Sequence, residues 1–106
     1  KNKCDYLWYA AHAGDHVIYP DCRPEFIQKL GDVLSICDYH KIKFEAPFMD
    51  LSKQQIVAEG LKMNLDYKNT WTCYVGGEKP CLKCSACLER MSAFTANNAI
   101  DPLNEI

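Results

Sequence analysis

Asp5-Tyr6-Leu7-Trp8-Tyr9-Ala10-Ala11 carries a single charge, at its first position. An apolar run this short, bounded by polar residues, reads as a strand buried on both faces, the kind found in parallel sheets. The residues after it decide the sheet's type. A loop rich in Gly, Pro and Asp, His12 to Arg23, leads to Pro24, whose fixed φ suits the first turn of a helix. Asp21 or Cys22 is expected near that helix's cap. Phe26, Ile27, Leu30, Val33, Leu34 and Cys37 then recur at helical spacing. Past Tyr39-His40-Lys41, the alternation of Ile42, Phe44 and Ala46 predicts a second strand, stopped by Pro47. Strand, helix and strand of these lengths predict a βαβ unit with parallel strands and a right-handed crossover.

Further along, Ser52 and Gln55 form a capping box, and Leu51 and Ile56 can close a hydrophobic staple across it. Gly60 or Asn64 should limit this helix. Tyr67 to Thr72 leads into a cysteine-rich loop, and a last helix, about 85–97, is expected to carry Cys87, Leu88, Met91 and Phe94 on one side. The chain has no internal repeat, low-complexity tract or linker. It therefore reads as one α/β domain, with residues 1–66 as a βαβ-α portion and 67–106 as a metal-binding loop and helix packed on it.

The loop is Cys73-Tyr-Val-Gly-Gly-Glu-Lys-Pro-Cys81-Leu-Lys-Cys84-Ser-Ala-Cys87, a Cys-x7-Cys-x2-Cys-x2-Cys set. Four thiolates around one tetrahedral Zn2+ is the common use of such a cluster, with Gly76, Gly77 and Pro80 turning Cys73 back onto the others. An iron–sulfur cluster is the rival. Cys81, Cys84 and Cys87 match the first three ligands of the bacterial ferredoxin run, but Met91 then Ser92 stand where its fourth Cys and Pro belong. The zinc reading is therefore preferred. Four protein ligands leave no open position, so the metal should be structural and not catalytic. Lys79, Lys83 and Arg90 are near enough in sequence to offset the negative charge of a zinc–thiolate centre.

Among 106 residues the formal charge is only −2, so no strong pull toward nucleic acid is expected. No apolar run approaches membrane-spanning length and no signal peptide opens the chain. Seven cysteines is an odd count, which suits a reducing cytoplasm better than a disulfide framework. Lys1 in place of an initiator Met, and entry into a strand within a few residues, suggest part of a larger protein.

Ligands of open α/β sheets bind beyond the carboxyl ends of the strands, where the loop 12–23 is expected. It gathers two imidazoles, two carboxylates, a phenol, a thiol and a guanidinium. His12, Asp15, Tyr19, Asp21 and Arg23 are the candidate substrate contacts. Cys22, at a helix N-terminus, is expected to favour its thiolate. No Walker or dinucleotide-type glycine loop is present.

Three stretches together, His12-Ala-Gly-Asp-His-Val-Ile-Tyr-Pro-Asp-Cys-Arg-Pro-Glu-Phe26, Pro47-Phe-Met-Asp-Leu-Ser-Lys53 and Thr70 through Arg90, strongly resemble the 7-cyano-7-deazaguanine synthase (preQ0 synthase, QueC) family. The resemblance implies a parallel-sheet, Rossmann-like fold of the adenine-nucleotide α-hydrolase type, with a structural zinc on Cys73, Cys81, Cys84 and Cys87. It implies a cytoplasmic, nitrile-forming C–N ligase, which converts 7-carboxy-7-deazaguanine, ammonia and ATP to preQ0 in queuosine biosynthesis. A homodimer is implied too, with no membrane and no direct nucleic-acid contact. The family's Ser-Gly-Gly-x-Asp-Ser ATP motif is absent here, so the chain resembles the carboxyl-terminal half of such an enzyme. A zinc-ribbon module binding RNA or protein is an alternative function, as is a relative of the same fold with another substrate.

Overall fold

The computed structural model describes residues 3–104, so the outer limits of the expected domain, positions 1 and 106, lie outside it. The chain divides into two compact units, Lys1–Ser52 and Lys53–Ile106.

In the first unit, strand β1 (Tyr6–Trp8) pairs in parallel with β2 (Lys43–Glu45), with Leu7 opposite Phe44, and helix α1 (Pro24–Leu34) connects them. The expected strand–helix–strand order and the parallel pairing both stand. The Tyr9 ring lies 6.1 Å from the rings of Phe26 and Phe44, tying α1 to the sheet. Gly31 brings α1 close to β2, since a Cβ there would sit 3.4 Å from Phe44 Cδ1.

Two expectations fail here. β1 is not buried on both faces: Tyr6, Leu7 and Trp8 are 53%, 46% and 67% exposed. Two strands of three residues with one connecting helix do not by themselves cover both faces of a parallel sheet, and the sequence reads as part of a larger protein. The residue capping α1 is Arg23, without a side-chain capping bond, and Asp21 and Cys22 lie just before it in a 3-10 turn, Pro20–Cys22. Cys37 lies beyond the helix end and is exposed.

In the second unit, α2 (Lys53–Lys62) starts one residue after Ser52, the predicted cap. Asn64 ends it in the left-handed region at φ 56°, and the Leu65 N–H returns to the Gly60 carbonyl at 2.9 Å, a Schellman closure. Helix α3 (Ser85–Ala96) closes the same way, with Asn98 at φ 52° and the Ala99 N–H on the Phe94 carbonyl at 3.1 Å. The helices meet over a core of Val57, Ala93 and Phe94, against which Leu61, Tyr67 and Ala99 pack. The buried stripe of α3 is Cys87, Arg90, Ala93 and Phe94, whereas Leu88, expected inside, is 54% exposed. Arg90 takes the interior because hydrogen-bond partners for its whole guanidinium are waiting there.

Candidate metal centre and polar loop

The metal loop is shaped by backbone that side chains alone would not choose. Gly76 and Gly77 sit at φ 78° and 97°, conformations that glycine adopts without steric cost, and they reverse the chain between Cys73 and Cys81. Leu82, at φ 58°, is in the left-handed region without that licence. The turn it makes is used: the N–H groups of Lys83 and Cys84 point at Cys81 Sγ, at 3.4 and 3.3 Å. The Cys81 N–H in turn points at Cys73 Sγ, at 3.4 Å. Cys87 comes from the first turn of α3.

These elements bring the ligand atoms of Cys73, Cys81, Cys84 and Cys87 within 4.8 Å of one another. A tetrahedral site with metal–sulfur bonds of ~2.3 Å needs sulfurs ~3.8 Å apart, and Cys81 and Cys87 are separated by 3.9 Å. All seven cysteines are free thiols. The four thus fit one tetrahedral metal ion.

Their electrostatics point the same way. The Cys81 backbone N–H is the main cause that lowers the Cys73 thiol to about 6, against the opposing effect of burial. The N–H groups of Tyr74 and Cys87 lower Cys84. Burial is the main cause that pushes Cys87 up to about 12. Amide dipoles therefore stabilise thiolate on part of the set, and a bound cation would remove the remaining proton. Of the three cations expected nearby, Arg90 does not face the sulfurs: it is paired with Asp101. Asp101 carried no sequence signal of its role.

The polar loop is turned inward on itself. His12 is buried, and its Nδ1 accepts the Gly14 N–H at 3.2 Å. That leaves Nε2 carrying the proton toward Asp15 Oδ2 at 2.9 Å, so the two are a mutually satisfied pair. Arg23 donates from Nε to the His16 carbonyl at 2.7 Å and from Nη2 to the Val17 carbonyl at 3.4 Å, pinning the loop to the start of α1. The Asp21 carbonyl accepts the Tyr9 hydroxyl at 3.0 Å. Tyr19 is 40% exposed, with its N–H on the Asp15 carbonyl. Cys22 differs from expectation: burial, then the charges of Asp21 and Asp15, raise its thiol. Among the described residues, one buried side-chain polar atom lacks a partner, Nε2 of His16. His16 was not singled out as a candidate contact, since sequence does not tell a satisfied imidazole from an unsatisfied one.

Residues 1–98 match the family described as queuosine biosynthesis protein QueC. The chain belongs to that family. Among curated QueC-type relatives, the 7-cyano-7-deazaguanine synthase of Marinobacter nauticus is 56% identical over 97 residues, covering 92% of this chain and 44% of the relative. That of Pseudoalteromonas atlantica has the same identity and coverage. The 7-cyano-7-deazaguanine synthase 1 of Colwellia psychrerythraea is 52% identical over 99 residues, 93% of this chain and 45% of the relative. The chain thus spans less than half the length of these relatives. None of the described helices is long and apolar enough to cross a membrane.

Proposed function

We propose that the full-length protein bearing this chain is a 7-cyano-7-deazaguanine synthase working in the cytoplasm as a homodimer. The observation that carries the reading is identity to named synthases of up to 56% over 92% of the chain. In this reading ATP adenylates the carboxylate of 7-carboxy-7-deazaguanine, and ammonia displaces AMP to give the amide. A second activation then removes the amide oxygen to leave the nitrile. ATP binds mainly outside these residues, as no phosphate-cradling glycine loop occurs among them. The fold is of the Rossmann-like adenine-nucleotide α-hydrolase type. Zn2+ is the metal held by Cys73, Cys81, Cys84 and Cys87, because four thiols suit it and leave no open position. Its part is structural.

The loop 12–23 forms one wall of the deazaguanine pocket in this reading. With His12 and Asp15 paired to each other and Arg23 on backbone carbonyls, its contribution is a preorganised shape, which Tyr19 and Asp21 line in this reading. Preorganisation of this kind lowers the cost of placing reactants in line. The test is direct. The full-length protein, incubated with MgATP, ammonium and 7-carboxy-7-deazaguanine, should yield the nitrile by mass spectrometry. No amide or nitrile from a folded, zinc-containing sample would overturn the assignment.

A further inference from the structure

The Arg90 guanidinium has five N–H donors, and each has a partner. Nε and Nη2 hold the two carboxylate oxygens of Asp101, and Nη1 donates to the Thr70 hydroxyl at 2.9 Å and the Thr70 carbonyl at 3.3 Å. Nη2 also reaches the Tyr67 carbonyl at 3.2 Å. Asp101 is held in turn by the Leu103 N–H at 3.1 Å, and the guanidinium lies 5.5 Å from the centre of the Phe94 ring. Arg90 and Asp101 side chains are 8% and 2% exposed.

The placement of these partners matters more than their number. Thr70 lies three residues before Cys73, and Arg90 three residues after Cys87 on the same buried stripe of α3. A single rigid, planar group therefore joins the entry and the exit of the four-cysteine loop. We propose that Arg90, oriented by Asp101, is a positioning residue for the metal centre. It holds Cys73 against the other three sulfurs and so sets how slowly the ion leaves. This rests on the four-thiol site and not on the reaction assigned to the protein.

The experiment follows zinc release from the full-length, zinc-loaded protein into excess chromogenic chelator under native conditions. Arg90→Lys keeps the charge but cannot span Asp101, Thr70 and Tyr67 together. It should speed release by about tenfold or more, given the weight of charge-assisted hydrogen bonds. Arg90→Met with Asp101→Leu replaces the buried pair by apolar groups, a change that commonly preserves stability. If the brace acts on the metal, release stays fast in this double variant even where its unfolding midpoint matches the wild type. Release at the wild-type rate in either variant would overturn the proposal. Should both misfold, Thr70→Val removes one acceptor alone, and its release should be faster by a factor of about two to ten. An unchanged rate there refutes the brace as well. Because the readout is the metal, an inactive wild-type enzyme would sink the synthase assignment and leave this result standing.

Discussion

Replacing Gly60 with alanine tests the packing that carries the metal loop. A Cβ at Gly60 would lie 1.9 Å from the Tyr67 hydroxyl oxygen, 2.8 Å from Cζ and 3.2 Å from Cε2. The first distance is about 1.6 Å short of ordinary contact, so the ring must move. It is poorly placed to do so. Its hydroxyl donates to the Val57 carbonyl at 3.1 Å, and its edge meets Phe94 at 5.0 Å and 80°. The Tyr67 carbonyl also accepts from Thr70 and Arg90. Overpacking a core costs about 1–3 kcal/mol, and the lost hydroxyl bond adds about 1 kcal/mol. Alanine's better helix propensity returns about 1 kcal/mol. Gly60→Ala should therefore destabilise the zinc-loaded protein by about 1–3 kcal/mol in urea unfolding followed by circular dichroism. At an unobstructed helix position the same change would be stabilising, so the sign alone discriminates. Adding Tyr67→Phe removes the shortest contact and should recover about 1 kcal/mol of the loss. A Gly60→Ala protein as stable as the wild type would refute the packing argument.

Cys84→Ser should abolish stoichiometric zinc binding and raise amide exchange across residues 70–90, because a structural metal contributes folding free energy directly. Full zinc content in that variant would remove Cys84 from the ligand set. A thiol whose pKa is raised holds less thiolate at any given pH below it. Cys22 should accordingly react with iodoacetamide at pH 8 more slowly than exposed Cys37, its rate rising only above the ordinary thiol range. Faster labelling at Cys22, read by peptide mass spectrometry, contradicts a thiol raised by burial and the two nearby carboxylates. Arg23→Lys should raise amide exchange at Ile18 and Tyr19 while zinc content stays constant, since one ammonium cannot hold both the His16 and Val17 carbonyls. Unchanged protection would mean the loop is held by its other bonds.

Much of the architecture was legible because it is written in local periodicity and end signals. Pro24 starting α1, Ser52 preceding α2, Asn64 ending it and parallel strands around residues 6–8 and 43–45 all follow from rules that act within a few residues. Coverage was not legible. The run from Tyr6 to Trp8 has the composition of a two-sided core strand, but burial depends on which layers lie over it, and that is a property of tertiary structure. The α3 stripe was legible only in part, at Cys87 and Phe94, for a related reason. Hydropathy favours Leu88 over Arg90 for the interior, yet a guanidinium with every donor satisfied can be buried, and its carboxylate partner lies 11 residues away at Asp101.

The two candidate sites differ in how far spacing can reveal chemistry. Four thiols in fifteen positions have few other uses, and the glycines between them supply the reversal that convergence needs, so which four thiols converge was readable residue by residue. In the loop 12–23 the same reasoning from density meets a competing use of several of the groups. Backbone N–H and C=O groups in an irregular loop need partners when they are buried, and polar side chains are the nearest supply. His12 satisfies Gly14 and Asp15, Arg23 satisfies the carbonyls of His16 and Val17, and the Asp21 carbonyl takes the Tyr9 hydroxyl. A loop that builds its own shape this way needs as many polar residues as one that grips a ligand directly. Density alone therefore locates a constructed loop and does not distinguish it from one that grips a ligand.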